Sequence, residues 1–256
     1  TVSSSGPSIP SGPANRRRVE DAGAQSSLGD RKAHQGNLLL NVNAPSTTIL
    51  WDMDGTIVDS IPLIVESFRH TVEKHTGLHL PDEVFIAGIG MPLLEQLKTF
   101  GRDEAECLAM REMYSLYYVK HAGRVQPFDG ADTLLRYLKT RGYKQGIVTS
   151  KSRAGLDRVL RQFDWVELFD ATVGADEVSQ GKPHPEPIHL AMKVLDVEAS
   201  ETWMIGDSPH DLQAGRAAGV RTGAVAWGPF EPSIIAENKP DYLFDTIDDV
   251  YQFFNR

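Results

Sequence analysis

The chain has 256 residues, 41% of them hydrophobic and 24% charged, and a formal net charge of −9. That length holds one large domain or two smaller ones, and no apolar run is long enough to span a bilayer. The acidic balance argues against a protein that grips nucleic acid through its phosphates, so neither a nucleic-acid nor a membrane partner is expected.

Residues 1–46 are rich in Ser, Gly, Pro, Asn and Gln. Pro7, Pro10 and Pro13 interrupt any periodicity, and the composition predicts a disordered tail. The Arg16-Arg17-Arg18 triplet reads as solvated charge. The longest apolar run there, Leu38 to Leu40, is too short for a secretory leader. Cys107 is the chain's one cysteine, which rules out an intrachain disulfide and fits a reducing compartment, so a cytoplasmic location is expected.

From Thr47 the pattern becomes globular. An apolar run through Ile49, Leu50 and Trp51 predicts a strand that ends on Asp52 and Asp54, two carboxylates spaced i, i+2, followed by Gly55 and Thr56. Two carboxylates so placed repel unless a cation or a proton separates them, and a hard metal ion is the economical solution. Gly55 permits a sharp turn beside a ligand.

Ile64, Phe68 and Val72 give helical spacing over Ile61 to His75, and Pro81-Asp82 opens a second helix. The Gly88-Ile89-Gly90-Met91-Pro92 break precedes a short helical piece from Leu93 to Phe100. Asp103 then caps a long helix to about His121, with Met110, Met113, Leu116 and Tyr117 on one side and the Tyr114-Tyr117-Tyr118 cluster expected as cap core or cap–core contact. No strand is expected between Ile61 and Val125. A helical insertion at this place would cover the carboxylates as a cap.

After Pro127-Phe128-Asp129-Gly130 the pattern alternates. Helices at Ala131 to Arg141, up to Phe163, Pro185 to Leu195 and Asp211 to Ala218 alternate with strands at Gln145 to Thr149, Ala171 to Val173, Thr202 to Ile205 and Thr222 to Ala226. Tyr242 to Phe244 and a last helix close the chain. The reading is α/β: a doubly wound, mostly parallel, Rossmann-like sheet with an inserted all-helical cap. The expected boundaries are 1–46 for the tail, 47–62 and 127–256 for the core, and 63–126 for the cap. Such sheets bind ligands at the carboxyl ends of their strands.

Three further strand ends carry polar groups: Thr149-Ser150-Lys151, then Gly181-Lys182-Pro183-His184 before a helix, then Gly206-Asp207-Ser208-Pro209-His210-Asp211. Together with Asp52-x-Asp54-Gly55-Thr56, these resemble the four motifs of the haloacid dehalogenase-like (HAD) hydrolases, in the family's order. The resemblance spans about residues 47–227. It implies a nucleophile at Asp52, an acid/base at Asp54, and a Mg²⁺ ion held by Asp52, the Asp54 carbonyl and Asp207. It also implies phosphoryl binding by Thr149, with Ser150 and Gly55 beside it, charge stabilisation by Lys182, and support from Asp211.

The branch most resembled is that of phosphoglycolate phosphatases with helical caps. The expected function is therefore a Mg²⁺-dependent phosphatase that cleaves a small soluble phosphate monoester through an aspartyl-phosphate. A pyrophosphatase, or a phosphomutase of the β-phosphoglucomutase kind, shares the motifs. A dehalogenase would not need Asp54. A phosphate-sensing protein without catalysis is the reading from another class, and an intact Asp54 argues against it. Lone histidines at 184 and 210 read as incidental. Among cap cations, Arg69 and His70 are expected near the entrance by connectivity, with Lys74, Lys98 and Arg102 as further candidates. The sequence leaves the oligomeric state open.

Overall fold

The computed structural model describes residues 48–255; the tail expected to be disordered lies outside the described residues. The first strand, β1 (Thr48–Trp51), is buried at every position. A tight turn leads to the two-residue β2 (Val58–Asp59) and then to α1 (Ile61–Thr76), which Gly77 ends in the left-handed region at φ 74°. The insertion continues with α2 (Asp82–Ile86), α3 (Leu93–Leu97) and α4 (Glu104–His121). Asp103 caps α4 by accepting from the Glu106 amide.

The chain returns through β3 (Gln126–Pro127), which pairs antiparallel with β2. This small ribbon, where the insertion leaves and rejoins the core, is too short for period-2 alternation to reveal it. Then follow α5 (Ala131–Thr140), β4 (Lys144–Val148), α6 (Arg153–Gln162), β5 (Ala171–Val173) and α7 (Glu186–Leu195). The chain ends with β6 (Thr202–Gly206), α8 (Pro209–Ala217), β7 (Arg221–Val225), α9 (Pro232–Glu237), β8 (Tyr242–Phe244) and α10 (Ile247–Phe254).

Six strands form one parallel sheet in the order β5-β4-β1-β6-β7-β8. The apolar runs fit this placement, because a parallel sheet covered on both faces buries both sides of each strand. β1 lies between β4 and β6, with Thr48 in register with Lys144 on one side and Thr202 on the other. The connections reverse direction beside β1, and at such a switch point the carboxyl ends leave a crevice. Helix faces seal the sheet. Leu134, Leu135 and Leu138 of α5 are buried at i, i+1 and i+4, and full burial of each contributes about 1.5–3 kcal/mol. One apolar cluster runs from Ile49 and Trp51 into Phe68, Phe85, Met110 and Tyr114 of the insertion.

The buried face of the long helix is Cys107, Met110, Tyr114 and Tyr118, which includes two of the three clustered tyrosines, whereas Leu116 of the Met110-Met113-Leu116-Tyr117 side is 66% exposed. Both faces have helical spacing, and the aromatic one packs: Tyr114 meets Phe68 with ring centroids 4.9 Å apart. Among the described residues, no helix is long and apolar enough to cross a membrane.

Candidate active site

The strand stops at Trp51, so alternation along β1 does not align Asp52 with Asp54. The turn does. Asp52 is held at the sheet edge by its amide, which donates to the Ile205 carbonyl at 2.8 Å. Gly55 then adopts φ +86°, and a Cβ there would stand 2.5 Å from Asp207 Oδ2. Only glycine meets both demands. Asp52 and Asp54 both line a cleft of about 910 Å³ between the core and the insertion.

The two carboxylates have separate surroundings. Asp52 is 6% exposed and accepts from Lys182 Nζ at 2.6 Å through Oδ1. Its Oδ2 has no hydrogen-bond partner among the described residues. Asp54 accepts from Ser60 Oγ at 2.5 Å and pairs through Oδ2 with Lys151 Nζ at 3.0 Å. Lys151 also stands 4.7 Å from the ring centroid of Tyr118. Ser60 occupies the N-cap position of α1, yet its hydroxyl goes to Asp54 rather than to the helix.

Lys182 has all three ammonium hydrogens engaged, by Asp52, by Asp211 Oδ1 at 2.5 Å and by the Val148 carbonyl at 2.9 Å. Asp211 accepts in turn from the Ser208 amide and hydroxyl through Oδ2, closing the capping box of α8. Asp207 Oδ1 accepts from Thr56 Oγ1 at 2.8 Å, while its Oδ2 is buried without a partner. Carboxylate oxygens of Asp52, Asp207 and Asp211 lie within 4.8 Å of one another. An orphaned buried oxygen among three carboxylates is the donor set of a hard divalent cation, so these residues fit Mg²⁺.

Burial pushes Asp52 up to about 7, with Lys182 opposing it and Asp211 and Asp54 adding to it. Burial also raises Asp207, with Asp52 and Asp211 reinforcing the shift. Burial pulls the Lys182 ammonium down, but Asp211 and Asp52 outweigh it and hold the lysine charged. His210 is lowered by burial, and its Nδ1 has no partner.

A pH dependence follows for the metal-free protein. A carboxyl whose pKa is raised by folding keeps more protons in the folded state, so stability falls as pH rises from the ordinary value of 3.8 through about 7. Asp207 acts in the same direction, and His210 opposes. In EDTA the thermal midpoint is expected to be lower at pH 7.5 than at pH 5.5, and Mg²⁺ is expected to restore it at pH 7.5. A midpoint that rises with pH in EDTA would contradict this balance.

Thr149 is buried and lines the cleft; its Oγ1 accepts from the Lys151 amide at 3.2 Å, leaving its own hydrogen to donate. Ser150 lines the cleft as well, but its hydroxyl donates to the Gly90 carbonyl of the insertion at 2.5 Å. It therefore links insertion to core. Gly90 sits at φ +96°, where a Cβ would fall 2.8 Å from Ser208 Oγ and 2.9 Å from His210 Nδ1. Gly90→Ala is expected to weaken both the fold and turnover, read as a lower thermal midpoint and lower kcat/KM.

The cap cations are placed differently from expectation. Arg69 pairs with Asp82, Lys98 with Glu95 and Arg102 with Glu106, and His70 stacks on Tyr117 at 4.2 Å. None of these, nor Lys74, lines the cleft. Sequence reasoning assigned no role to Lys151, although it stands directly after Thr149-Ser150, because spacing does not say which acid a lysine meets. Ser208-Pro209-His210-Asp211 has the spacing of a capping box, but nothing in the spacing around Ser60 points its hydroxyl to Asp54.

The structure is thus a Rossmann-like α/β protein with a lysine-bridged carboxylate cluster at the switch point of its parallel sheet, roofed by helices. The profile of the family described as "Haloacid dehalogenase-like hydrolase" matches residues 49–225, and the chain belongs to that family. It is 36% identical over 206 residues to pyrophosphatase PpaX of Bacillus velezensis, across 80% of this chain and 94% of that protein. The fold matches a haloacid dehalogenase-like family hydrolase of Streptococcus pneumoniae at a TM-score of 0.71 and 26% identity, covering 81% of this chain and 97% of that one. It also matches "a predicted phosphoglycolate phosphatase" of Haemophilus somnus at a TM-score of 0.74 and 23% identity, covering 81% and 97%.

Proposed function

We infer that the protein is a Mg²⁺-dependent phosphatase that acts on a small soluble phosphate through an aspartyl-phosphate at Asp52. The observation that carries this reading is the division of labour between two carboxylates in one cleft. Asp52 is tied to Lys182 and Asp207's neighbourhood, while Asp54 is held apart on Ser60 and Lys151.

Asp52 Oδ2 attacks phosphorus, and the bond to the leaving oxygen breaks. Asp54 in its protonated form gives that oxygen a proton, then takes one from the water that attacks the aspartyl-phosphate and releases phosphate, which restores the protonated form. Lys182 balances the negative charge at Asp52, and the Thr149 hydroxyl donates to a phosphoryl oxygen. Asp211 positions Lys182. Asp52, Asp207 and the Asp54 carbonyl would hold Mg²⁺, which would neutralise charge on the carboxylates and the phosphate dianion.

The phosphoglycolate reading rests on the motif resemblance. The pyrophosphate reading is favoured by the name of the B. velezensis relative. The test is turnover of p-nitrophenyl phosphate, 2-phosphoglycolate, pyrophosphate and a sugar phosphate with Mg²⁺. Activity is expected on at least one small phosphate, to disappear in EDTA and to return with Mg²⁺. Full activity in EDTA, or none on the whole panel, would overturn the reading.

A further inference from the structure

In this acidic chain the described arginines are almost all engaged. They pair with carboxylates, donate to a carbonyl or lie over an aromatic ring. Arg111 and Arg158 are the exceptions among the described residues, and both line the same cleft as Asp52. Arg111 comes from α4, on the stripe that carries Tyr114 and Tyr118 at i+3 and i+7, which also line the cleft. Arg158 comes from α6, one turn beyond Ala154, another lining residue. One guanidinium is therefore supplied by the insertion and one by the core.

Neither guanidinium forms an ion pair among the described residues. Of the acids that line the cleft, Asp54 is paired with Lys151, Glu95 with Lys98 and Asp52 with Lys182, while among the same residues Asp176 and Asp207 form no ion pair and accept only from the Arg153 amide and the Thr56 hydroxyl. The two cleft lysines are committed as well, Lys151 to Asp54 and Lys182 to Asp52 and Asp211. Arg111 and Arg158 thus hold the cleft's uncommitted cationic donors. Two unpaired arginines facing water alone would normally be ordinary surface charge. Here they come from different elements and share one acid-lined cavity with the reacting carboxylate. A guanidinium offers a planar fork of donors that meets phosphoryl oxygens two at a time.

The geometry points to a second anion subsite in which Arg111 and Arg158 together bind a phosphoryl group of the leaving group, so that the preferred substrate carries two adjoining phosphoryl groups, as inorganic pyrophosphate does. This rests on the phosphatase reading for its chemistry and names the substrate class of the same cleft. A carboxylate leaving group, as in 2-phosphoglycolate, offers two oxygens to the pair where a phosphoryl offers three.

The test uses the full chain with Mg²⁺ and the variants Arg111→Ala, Arg158→Ala and the double. Each single variant is expected to lower kcat/KM for pyrophosphate by about 10- to 100-fold, and p-nitrophenyl phosphate by no more than about threefold. Arg111→Lys and Arg158→Lys, which keep the charge but lose the fork, should fall between. Calorimetric binding of methylenediphosphonate gives a readout without turnover, and the double variant should bind it at least tenfold more weakly. Wild type that binds the diphosphonate but hydrolyses no substrate would remove the phosphatase reading and leave the subsite standing. Equal losses on all substrates, failure of wild type to bind the diphosphonate, or unchanged binding by the double variant would overturn the subsite. A larger loss on 2-phosphoglycolate than on pyrophosphate would overturn the diphosphate assignment.

Discussion

Replacing Asp52 with asparagine should remove turnover, by about 10⁴-fold or more in kcat, while the protein remains folded. The amide has nearly the shape of the carboxylate, so the amide N–H to Ile205 and the surrounding packing persist. Lys182 keeps Asp211 and the Val148 carbonyl as partners. What disappears is the attacking oxygen's charge. Removing one of three crowded carboxylates also relieves repulsion, so the thermal midpoint in EDTA should hold or rise. Substantial activity in Asp52→Asn would exclude Asp52 as nucleophile, and loss of the fold would show that the charge is structural.

Lys182→Met should damage stability and activity together. The lysine is 3% exposed and stands between Asp52 and Asp211 at 2.6 and 2.5 Å. Its loss leaves buried carboxylates without their cation, a change that costs about 3–5 kcal/mol when one partner of a buried pair is removed. For a domain of this size that is a fall of roughly 10 °C in midpoint. The variant should be least stable at high pH, because protonation is the remaining way to neutralise the acids. Mg²⁺ should recover part of the stability but not the rate, which should stay down by about 10²–10³-fold, the usual cost of losing an electrostatic contact at the reacting group. An unchanged midpoint would mean that Lys182 does not hold the cluster.

Much of this architecture was legible before any coordinates. Apolar runs and helical spacing placed the strands of the sheet, and Ala171–Val173 and Tyr242–Phe244 stand where expected. Asp52, Thr149 and Asp207 stood out as polar residues at the ends of apolar runs, and Lys182 through the resemblance of its motif, and all four line one cleft. The buried face of α4 was not, because Met110 belongs to both candidate stripes and only packing against Phe68 decides between them. Partnership was the other blind spot. Arg69 sits in the first helix of the insertion, but Asp82 claims it. Ser150 reads as a phosphate hydroxyl, and the Gly90 carbonyl takes it. Such pairings depend on distances between elements remote in sequence, which periodicity within one element cannot carry.

The central position of β1 also sets an order in time. Its partner strands begin at Lys144 and Thr202, and Thr56 lies 151 residues ahead of Asp207, the acid it steadies. A ribosome adds about 5–20 residues per second, so that separation takes roughly 10–30 s to synthesise. Until β4 emerges the apolar segment Ile49-Leu50-Trp51 has neither neighbour, and from then until β6 emerges it has one open side, the kind of edge that recruits other chains. The strand that leads into Asp52 is thus made well before its second neighbour, and the growing chain depends on whatever shields that edge until β6 emerges.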